Sequence, residues 1–430
     1  MPTRQDQLHS YQFMIQRVVA ALVMHETDPP QAPFRRIAGA TLAGVMVAAL
    51  ALAATAVYGV LKPGDEAGWR DGGAVIVERE SGARYVLRDG RLHPVANYAS
   101  ALLILGAPEP ATMLVGRAAL LGVPRGVPLG IPDAPDSLPA AGSLVGTPWT
   151  VCSRRGGPVL FVGPREVGGR PLGEVGVLAG RADAAVYLIW RNRRHLVREP
   201  GVVLPALGWG AEPVAPVAAA VLDVIPAGDD LGRIAIPGRG RPSRVPRARV
   251  GEVFTISSQG GGRQYAVAVR DGLAGITQVQ ADLLIGDPLT GQRAPRVLAA
   301  GEYAALPKVG ALVPASAQAP PASSPSLIRP DGDVCAVVGG EVDLLVDVAV
   351  PDAGRVVVPP GGGAVVESGR SGGLWLVTDL GLRYALPGPD VLTVLGLGGV
   401  RPVRLPPAVL ALVPAGPVLD PEAARSPVIG

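Results

Sequence analysis

Side chains that commonly carry chemistry are few in this sequence, and they stand far apart. The 430 residues include four histidines and two cysteines: His9, His25, His93, His195, Cys152 and Cys335. Zinc sites take their ligands from histidines and cysteines at short, regular spacings, and these residues form no such cluster. The sequence therefore predicts no metal site.

A nucleotide site of the common phosphate-binding type is also missing from the sequence. That loop has the pattern G-x-x-x-x-G-K-[ST], because its lysine must reach the β- and γ-phosphates. The chain has two lysines and neither follows a glycine, since Lys62 follows Leu61 and Lys308 follows Pro307. We therefore expect no cofactor.

The other candidate motifs have simpler structural interpretations. Residues 369–373 match G-x-S-x-G, but a nucleophile elbow lies between a strand and a helix, and an apolar strand follows here. We interpret this motif as a hairpin turn. Short acidic pairs are typical of solvated turns and helix caps, and there are two of them, Asp229 with Asp230 and Asp331 with Asp333. The sequence nominates no catalytic residue.

Basic residues show no clustering that would indicate a nucleic-acid partner. The net charge of +3 is spread over the whole chain, whereas nucleic-acid binding needs a basic patch on one face. Arg191, Arg193 and Arg194 form a local basic turn. This turn is a solvated hairpin end or, alternatively, a surface for an acidic partner.

Composition indicates many short strands. Apolar residues make up 48% of the chain, and charged residues 17%. The 58 glycines and 45 prolines separate apolar runs throughout the sequence. Short apolar runs divided by glycine and proline turns are typical of β-rich folds.

One stretch is long and apolar enough to cross a membrane. Residues Ile37–Leu61 carry no charge, and Arg35 and Arg36 stand immediately before them. The positive-inside rule then places the N-terminus in the cytoplasm and the rest of the chain outside. A cleaved signal peptide, with Ala54-Thr55-Ala56 as its cleavage site, is the alternative, but the apolar run is long for one.

The residues before this stretch predict an amphipathic helix. Thr3 and Asp6 have the spacing of an N-terminal capping pair. Apolar residues then recur at intervals of three and four, as expected for one helix face; they are Leu8, Tyr11, Ile15, Val18 and Leu22. A lone helix cannot bury such a stripe, so we expect it to dock on a partner or on the inner membrane face.

Beyond residue 61 the sequence repeats itself four times. An aromatic residue on an apolar strand begins each copy: Tyr85, Tyr187, Tyr265 and Trp375. A glycine follows each aromatic residue by 21 positions: Gly106, Gly208, Gly286 and Gly396. A proline follows the aromatic residue by 39 positions in copies 1, 2 and 4 and by 42 positions in copy 3: Pro124, Pro226, Pro414 and Pro307. Each copy predicts a short hairpin or three-stranded piece and then one or two short helices, which end at the glycine and the proline.

The cysteines indicate a duplicated half. Cys152 lies 67 residues after Tyr85, and Cys335 lies 70 after Tyr265. Cysteines related by a pseudo-two-fold axis can meet on that axis and form a disulfide in an oxidising compartment. Such a bridge closes a loop of about 180 residues, for which the chain-entropy model gives about 4–5 kcal/mol of stabilisation. Two unpaired buried thiols are the alternative.

The chain resembles the EccB component of actinobacterial type VII (ESX) secretion systems along nearly all of its length. The N-terminal TRQDQLHSYQFMIQRVVAAL resembles the cytoplasmic helix of that family, and SGARYVLRDGRLHPVANYASALLILG resembles its first repeat. The ending PDVLTVLGLGGVRPVRLPPAVLALVPAGPVLDPEAA is the most specific match. The resemblance implies a β-rich periplasmic core that holds the disulfide Cys152–Cys335, flanked by four repeat domains.

Together these observations predict a β-rich α+β fold. An N-terminal amphipathic helix and one transmembrane helix precede an elongated, pseudo-two-fold extracytoplasmic region of four β/α repeat domains around a disulfide-closed core. The predicted segments are a cytoplasmic helix (1–36), a transmembrane helix (37–61), repeat 1 (74–140), a first core segment (141–180), repeat 2 (181–246), repeat 3 (250–314), a second core segment (326–368) and repeat 4 (369–430).

The resemblance also implies partners and a role. The partners are the motor ATPase EccC, EccD, EccE and the mycosin protease, in a large membrane complex with several copies of each chain. We expect a structural subunit in the cell membrane that scaffolds the motor inside and the periplasmic assembly outside. Two alternatives are an extracytoplasmic ATP-hydrolysing component and a periplasmic adaptor that binds substrates. The family is described as having ATPase activity, but this sequence has no nucleotide-binding motif to which that activity could be assigned.

Overall fold

A computed structural model describes residues 3–24, 33–61, 68–155, 157–257, 262–352, 354–369 and 372–428 of the chain. The chain divides into two compact units, Met1–Arg70 and Asp71–Gly430. The first unit is helical, and the second contains all the strands of the described residues.

Two helices, α1 (Arg4–Met24) and α2 (Pro33–Leu61), form most of the first unit. The predicted capping pair stands at the start of α1, where the Thr3 N–H and hydroxyl donate to Asp6 Oδ2 at 2.9 and 2.6 Å. These bonds lower the pKa of the Asp6 carboxyl. A carboxylate in the first turn also favours the helix because it faces the positive end of the helix dipole.

The predicted transmembrane segment, Ile37–Leu61, is not confirmed. It is helical as part of α2, yet no helix among the described residues is both long and apolar enough to cross a membrane. The two ends of the segment, 37–38 and 56–61, and the flanking Arg35 and Arg36 have side chains outside the described part of the chain.

The second unit begins with a four-stranded module, which we call module 1: β1 (Ala74–Glu78), β2 (Arg84–Arg88), β3 (Arg91–Pro94), α3 (Tyr98–Leu105), β4 (Ala111–Val115) and α4 (Arg117–Leu120). Three strands of the central sheet follow: β5 (Trp149–Arg154), β6 (Gly157–Phe161) and β7 (Arg170–Pro171). Module 2 comes next: β8 (Val177–Gly180), β9 (Val186–Trp190), β10 (Arg193–Val197), α5 (Pro200–Ala206), β11 (Ala215–Pro216) and α6 (Ala219–Val224).

The second half of this unit has the same succession of elements. Module 3 contains β12 (Val253–Ser257), β13 (Arg263–Val269), β14 (Gly272–Ile276), α7 (Gln278–Gly286), β15 (Arg296–Leu298) and α8 (Ala300–Ala305). The central sheet then receives β16 (Asp333–Val338), β17 (Val342–Val348) and β18 (Val356–Val357). Module 4 contains β19 (Gly363–Ser368), β20 (Gly373–Thr378), β21 (Arg383–Leu386), α9 (Pro389–Val394), β22 (Val403–Leu405) and α10 (Pro407–Leu410), and α11 (Pro421–Ala424) follows it.

All four modules share one strand order, in which the third strand, the second, the first and the fourth lie side by side. The first three strands are antiparallel, and the fourth pairs in parallel with the first, as Met113 does with Ile76 in module 1. The sequence prediction omits this fourth strand, which is only two to five residues long. The predicted boundaries after residues 180 and 368 also assign β8 and β19 to the central core, whereas both strands belong to the sheets of modules 2 and 4.

The regularly spaced prolines all bond to the third strand of their own module. After its second helix each module returns to that strand, and the proline carbonyl accepts a hydrogen bond from it. In modules 1 to 4 in turn, the N–H of Leu92 donates to the carbonyl of Pro124 (2.8 Å), that of Arg194 to Pro226 (3.0 Å), that of Leu273 to Pro307 (2.8 Å) and that of Arg383 to Pro414 (2.9 Å). The bond is made in module 3 as well, although its proline comes three residues later. Proline is tolerated here because the bond uses its carbonyl and needs no N–H.

The central sheet has the strand order β18-β6-β5-β16-β17-β7 and joins the two halves of the second unit. β5 and β16 are antiparallel neighbours, with Cys152 directly opposite Cys335. Each half also sends one short strand across: β7 pairs with β17, and β18 pairs with β6. The two halves are therefore interleaved within one sheet.

Buried apolar residues join the modules in pairs. Modules 1 and 4 share a core that includes Leu103 on α3 and Leu392 on α9, and modules 2 and 3 share one that includes Val203 on α5 and Leu283 on α7. A third core covers one face of the central sheet with Val221 on α6. The same core includes the equivalent helix of module 4, α10.

Candidate functional site

The predicted docking stripe lies exposed on α1. Leu8, Tyr11, Ile15, Val18 and Leu22 expose between 44% and 74% of their surface. Phe13 and Met14 are also exposed, so the apolar surface extends beyond the stripe. Exposure of this many large apolar side chains on one helix is typical of a surface that a partner or a lipid phase covers. The occupant of the stripe stays a prediction.

The two cysteines form a disulfide at the seam between the halves of the second unit. Cys152 and Cys335 are bonded, their Cα atoms are 4.0 Å apart, and both residues are fully buried. They pack with Val159 and Phe161 on the face of the central sheet opposite α6. The predicted disulfide is confirmed, and it closes a loop between residues 183 positions apart.

The carboxylates of one acidic pair named from the sequence, Asp229 with Asp230, bond within the fold. Asp229 accepts from the Ser316 hydroxyl at 2.9 Å, and Asp230 accepts from Arg198 at 2.7 Å. The Asp331 N–H donates to Asp347, and this bond lowers the pKa of the Asp347 carboxyl despite the opposing effect of burial. Within the described ranges, no group of three or more histidine, cysteine, aspartate or glutamate side chains could hold a metal ion.

The basic turn of module 2 is also engaged internally. Arg191 bonds Glu174 at 2.6 Å, and Arg194 bonds Asp223 at 3.3 Å. The guanidinium of Arg193 donates to a backbone carbonyl, that of Ala227. Exposed ion pairs of this kind contribute little stability. They do fix the hairpin end, which favours the structural interpretation of this turn over a surface for an acidic partner.

The G-x-S-x-G motif joins two antiparallel strands, β19 and β20. Gly369 and Gly372 both have positive φ, 85° and 66°, as a tight hairpin requires. Arg370 and Ser371 lie outside the described residues. A strand follows the motif where a nucleophile elbow would continue as a helix, so the hairpin interpretation stands.

Sequence reasoning missed two histidines that hold loops in place. His93 and His195 occupy the same position on the third strands of modules 1 and 2. Their Nδ1 atoms lie 2.9 and 2.8 Å from the carbonyl oxygens of Val127 and Asp229. His195 is fully buried, and burial lowers its pKa. Within the described part of the chain, its Nε2 has no hydrogen-bond partner.

The sequence pattern that could have revealed these histidines is a glycine two positions after the regularly spaced proline of modules 1 and 2. A Cβ on Gly126 or Gly228 would lie 2.2 or 2.3 Å from the ring of the histidine beneath it. In module 4 Gly416 passes Tyr384 in the same way. Module 3 reverses the sizes, with Ala274 on the strand and Val309 in the loop. The large residue on the strand and the small residue in the loop are therefore coupled.

Comparisons with known proteins agree on one family. The family model described as "Type VII secretion system ESX-1, transport TM domain B" matches residues 1–342 and 338–427. The "ESX-3 secretion system ATPase EccB3" of Mycobacterium tuberculosis is 29% identical over 96% of this chain and 87% of its own length. The "ESX-2 secretion system ATPase EccB2" of the same organism is 30% identical over 98% of this chain and 94% of its own length.

Solved chains from ESX complexes have a similar fold. A chain of "an intact ESX-5 inner membrane complex" superposes with a TM-score of 0.69 at 26% identity, covering 100% of this chain and 96% of that one. A chain of the "EccB3 dimer from the ESX-3 core complex" gives a TM-score of 0.66 at 26% identity, covering 82% of this chain and 100% of that one.

Proposed function

Because the chain belongs to the EccB family of type VII (ESX) secretion components, we propose that it is a structural subunit that scaffolds the membrane complex of such a system. In this proposal α1 binds the motor ATPase EccC on the cytoplasmic side. The second unit contacts EccD, EccE, the mycosin protease or further copies of this chain outside. The name of the solved EccB3 dimer supports contacts between copies.

The observation that carries the scaffold proposal is the interleaving of the two halves in the central sheet. Each half contributes two long strands and lends a short one to the other half, and the disulfide links the innermost pair. The modules are then joined in pairs by shared cores. Such a frame holds the modules in fixed positions, as a scaffold must, and we infer that the modules are four repeat domains.

We also propose that α2 anchors the chain in the membrane with the N-terminus in the cytoplasm. The sequence of α2 is uncharged from Ile37 to Leu61, and Arg35 and Arg36 precede that run. Relatives whose names include a transmembrane domain or an inner membrane complex support this location. The positive-inside rule supports the orientation.

The docking of α1 is tested by charging its exposed stripe. Tyr11→Asp with Ile15→Asp should remove the chain from the assembled complex, because two buried carboxylates would face the apolar surface of the partner. The measurement is co-purification of the motor subunit with the tagged full chain. We expect the motor to be reduced at least about tenfold, which corresponds to about 1.4 kcal/mol of binding free energy.

Ser10→Asp with Gln16→Asp is the matched control, since both residues are exposed on α1 and lie outside the stripe. This variant should retain the motor. Normal recovery of the motor with the stripe variant would contradict docking through α1, and loss of the motor with both variants would show that charge on any face of the helix disrupts it.

A second candidate function is ATP hydrolysis, which the names of the relatives favour. The sequence has no lysine in a phosphate-binding loop, since Lys308 follows Pro307. The Lys308 ammonium instead donates to the Ala304 carbonyl at 3.2 Å and lies 4.8 Å from the ring centre of Tyr303. The purified full chain should therefore show no ATP turnover. Turnover that follows the chain through successive purification steps in constant ratio to it would establish the enzymatic function instead.

A further inference from the structure

A cleft of about 950 Å³ lies where modules 2 and 3 meet. Its walls include Asp229 and Asp230 from the loop after α6, Arg263 and Tyr265 from β13, and Val313 from the segment after α8. Nothing in the proposed scaffolding role uses this cleft.

One wall of the cleft is an unpaired backbone edge. The Leu312 N–H donates to the Gly275 carbonyl at 3.0 Å, which holds residues 311–313 beside β14. The chain bends at Leu312 and Val313, as it does at Gly130 of module 1, whose N–H bonds a segment outside its own sheet. By equivalence with Gly130 and Pro128, we infer that Val313 N–H and Ala311 C=O face away from β14. Within the described residues neither group has a hydrogen-bond partner. Both residues are exposed and line the cleft.

The equivalent edge in module 1 is covered by the chain itself. There the Leu129 N–H donates to the Pro94 carbonyl at 2.9 Å, as Leu312 does to Gly275 in module 3. The next groups outward are paired with the C-terminal segment. The Gly130 N–H donates to the Ser426 carbonyl at 3.3 Å, and the Val428 N–H donates to the Pro128 carbonyl at 2.9 Å. Leu129 and Pro427 thus form an isolated antiparallel β-bridge, through which residues 426–428 cover this edge.

Module 2 cannot cover the edge of module 3 in the same way. Leu231 of module 2 corresponds to Leu419 of module 4, since each donates its N–H to a third-strand carbonyl, Leu196 or Ala385. Seven residues past Leu419 the chain pairs with module 1. Past Leu231 it turns instead into module 3, where Arg239 bonds Asp287 at 2.8 Å and the Gly240 N–H bonds the Val250 carbonyl. The edge at 311–313 is therefore left open.

We propose that this cleft binds an extended segment of another polypeptide, which pairs with residues 311–313 as an added strand. Unpaired N–H and C=O groups on an exposed edge are templates for such pairing. The inference rests on the geometry of modules 1–4 and does not depend on the docking of α1.

The covered edge of module 1 indicates the composition of the segment. Its central residue, Pro427, makes neither of the two hydrogen bonds, so a proline is tolerated there and small residues can flank it. Of the two carboxylates in the wall of the cleft, Asp230 is paired with Arg198, whereas Asp229 bonds a neutral hydroxyl, that of Ser316, and keeps its charge uncompensated there. A basic residue two positions before the proline is therefore favoured, in the place that Arg425 has relative to Pro427.

The test uses a fluorescent peptide with the sequence of residues 421–430, PEAARSPVIG, and the purified full chain. Binding is followed by fluorescence anisotropy. Val313→Pro removes the N–H that pairs with the peptide, and this N–H makes no intramolecular bond within the described residues. It should weaken binding by about tenfold or more, through the lost hydrogen bond and the added ring.

Val313→Ala is the matched control, because it shortens the side chain and keeps the N–H; it should bind within about twofold of the unaltered chain. Equal binding by Val313→Pro would overturn the proposal, because the peptide would then occupy another place such as the edge of module 1. Absence of binding would overturn it too. The proposal would also be overturned if the chain bound no peptide and Val313→Pro changed its oligomeric state, because a second copy of the chain would then cover the edge.

Discussion

At the scale of single residues, His195 shows how one buried side chain can make stability depend on pH. His195 is completely buried, its Nδ1 bonds the Asp229 carbonyl, and burial lowers its pKa. A histidine with a lowered pKa stays neutral in the folded protein at a pH at which the unfolded chain already takes up a proton.

The sign of the pH effect follows directly. Stability contributed by neutral His195 is fully present above its unfolded pKa, about 6.5, and is lost as the pH falls below that value towards the lowered pKa of the folded state. We expect the free energy of unfolding of the full chain, measured by urea denaturation, to decline as the pH falls below about 6.5. His195→Gln should flatten this decline, because its side chain does not titrate.

His93→Gln is the matched control, because His93 holds the same position in module 1 with a half-buried ring. The decline should persist in this variant, because the fully buried His195 is retained. An identical slope in the unaltered chain and in His195→Gln would show that other groups cause the dependence.

At the scale of secondary-structure elements, the packing of modules 2 and 3 depends on one glycine. Gly286 is the last residue of α7, and a Cβ there would lie 2.2 Å from the Cβ of Ala206 on α5. The two helices can approach this closely only because Gly286 has no side chain. The sequence indicated Gly286 as a helix end, but it contained no sign that the neighbour was a helix from another module.

We therefore expect Gly286→Ala to destabilise the chain by about 1–3 kcal/mol, the usual cost of forcing an extra group into a packed site. Gly301→Ala on α8 is the matched control, since a Cβ at Gly301 has open space and alanine favours the helix by about 0.5–1 kcal/mol. Chemical denaturation of both variants measures the difference. A stabilised Gly286→Ala variant would contradict close contact between α5 and α7.

The elements also show what the sequence can and cannot predict. Spacing identified the second strand of each module, the helix-ending glycines and the returning prolines, because these depend on local backbone conformation and on one repeated path of the chain. It missed β4, β11, β15 and β22, whose two to five residues pair with a strand more than thirty positions earlier. It also missed the strand exchange of β7 and β18, since such pairing leaves no periodic pattern in so short a segment.

At the scale of the whole molecule, the second unit is built as two halves that meet in one sheet. The cysteines were predictable because duplication placed them at matching distances from repeated aromatic residues. The pairing of modules 1 with 4 and 2 with 3 was not predictable, because the helices that make it are apolar all round. Their sequences therefore do not show which face packs against which neighbour. Leu102, Leu103 and Ile104 of α3, for example, are consecutive and all buried.

The disulfide should contribute strongly to the free energy of unfolding, because it closes a very long loop. It joins residues 183 positions apart, so the chain-entropy model gives about 4–5 kcal/mol of stabilisation through the restricted unfolded state. We expect Cys152→Ala with Cys335→Ala to lower the free energy of unfolding by about this amount. The backbone pairing of β5 with β16 needs no sulfur and should survive, so the variant should still fold.

Urea denaturation with and without a reducing agent separates the covalent link from packing. The reductant should bring the unaltered chain close to the double variant and should not change the variant further. Full stability of the reduced, unaltered chain would show that strand exchange and shared cores alone hold the halves together.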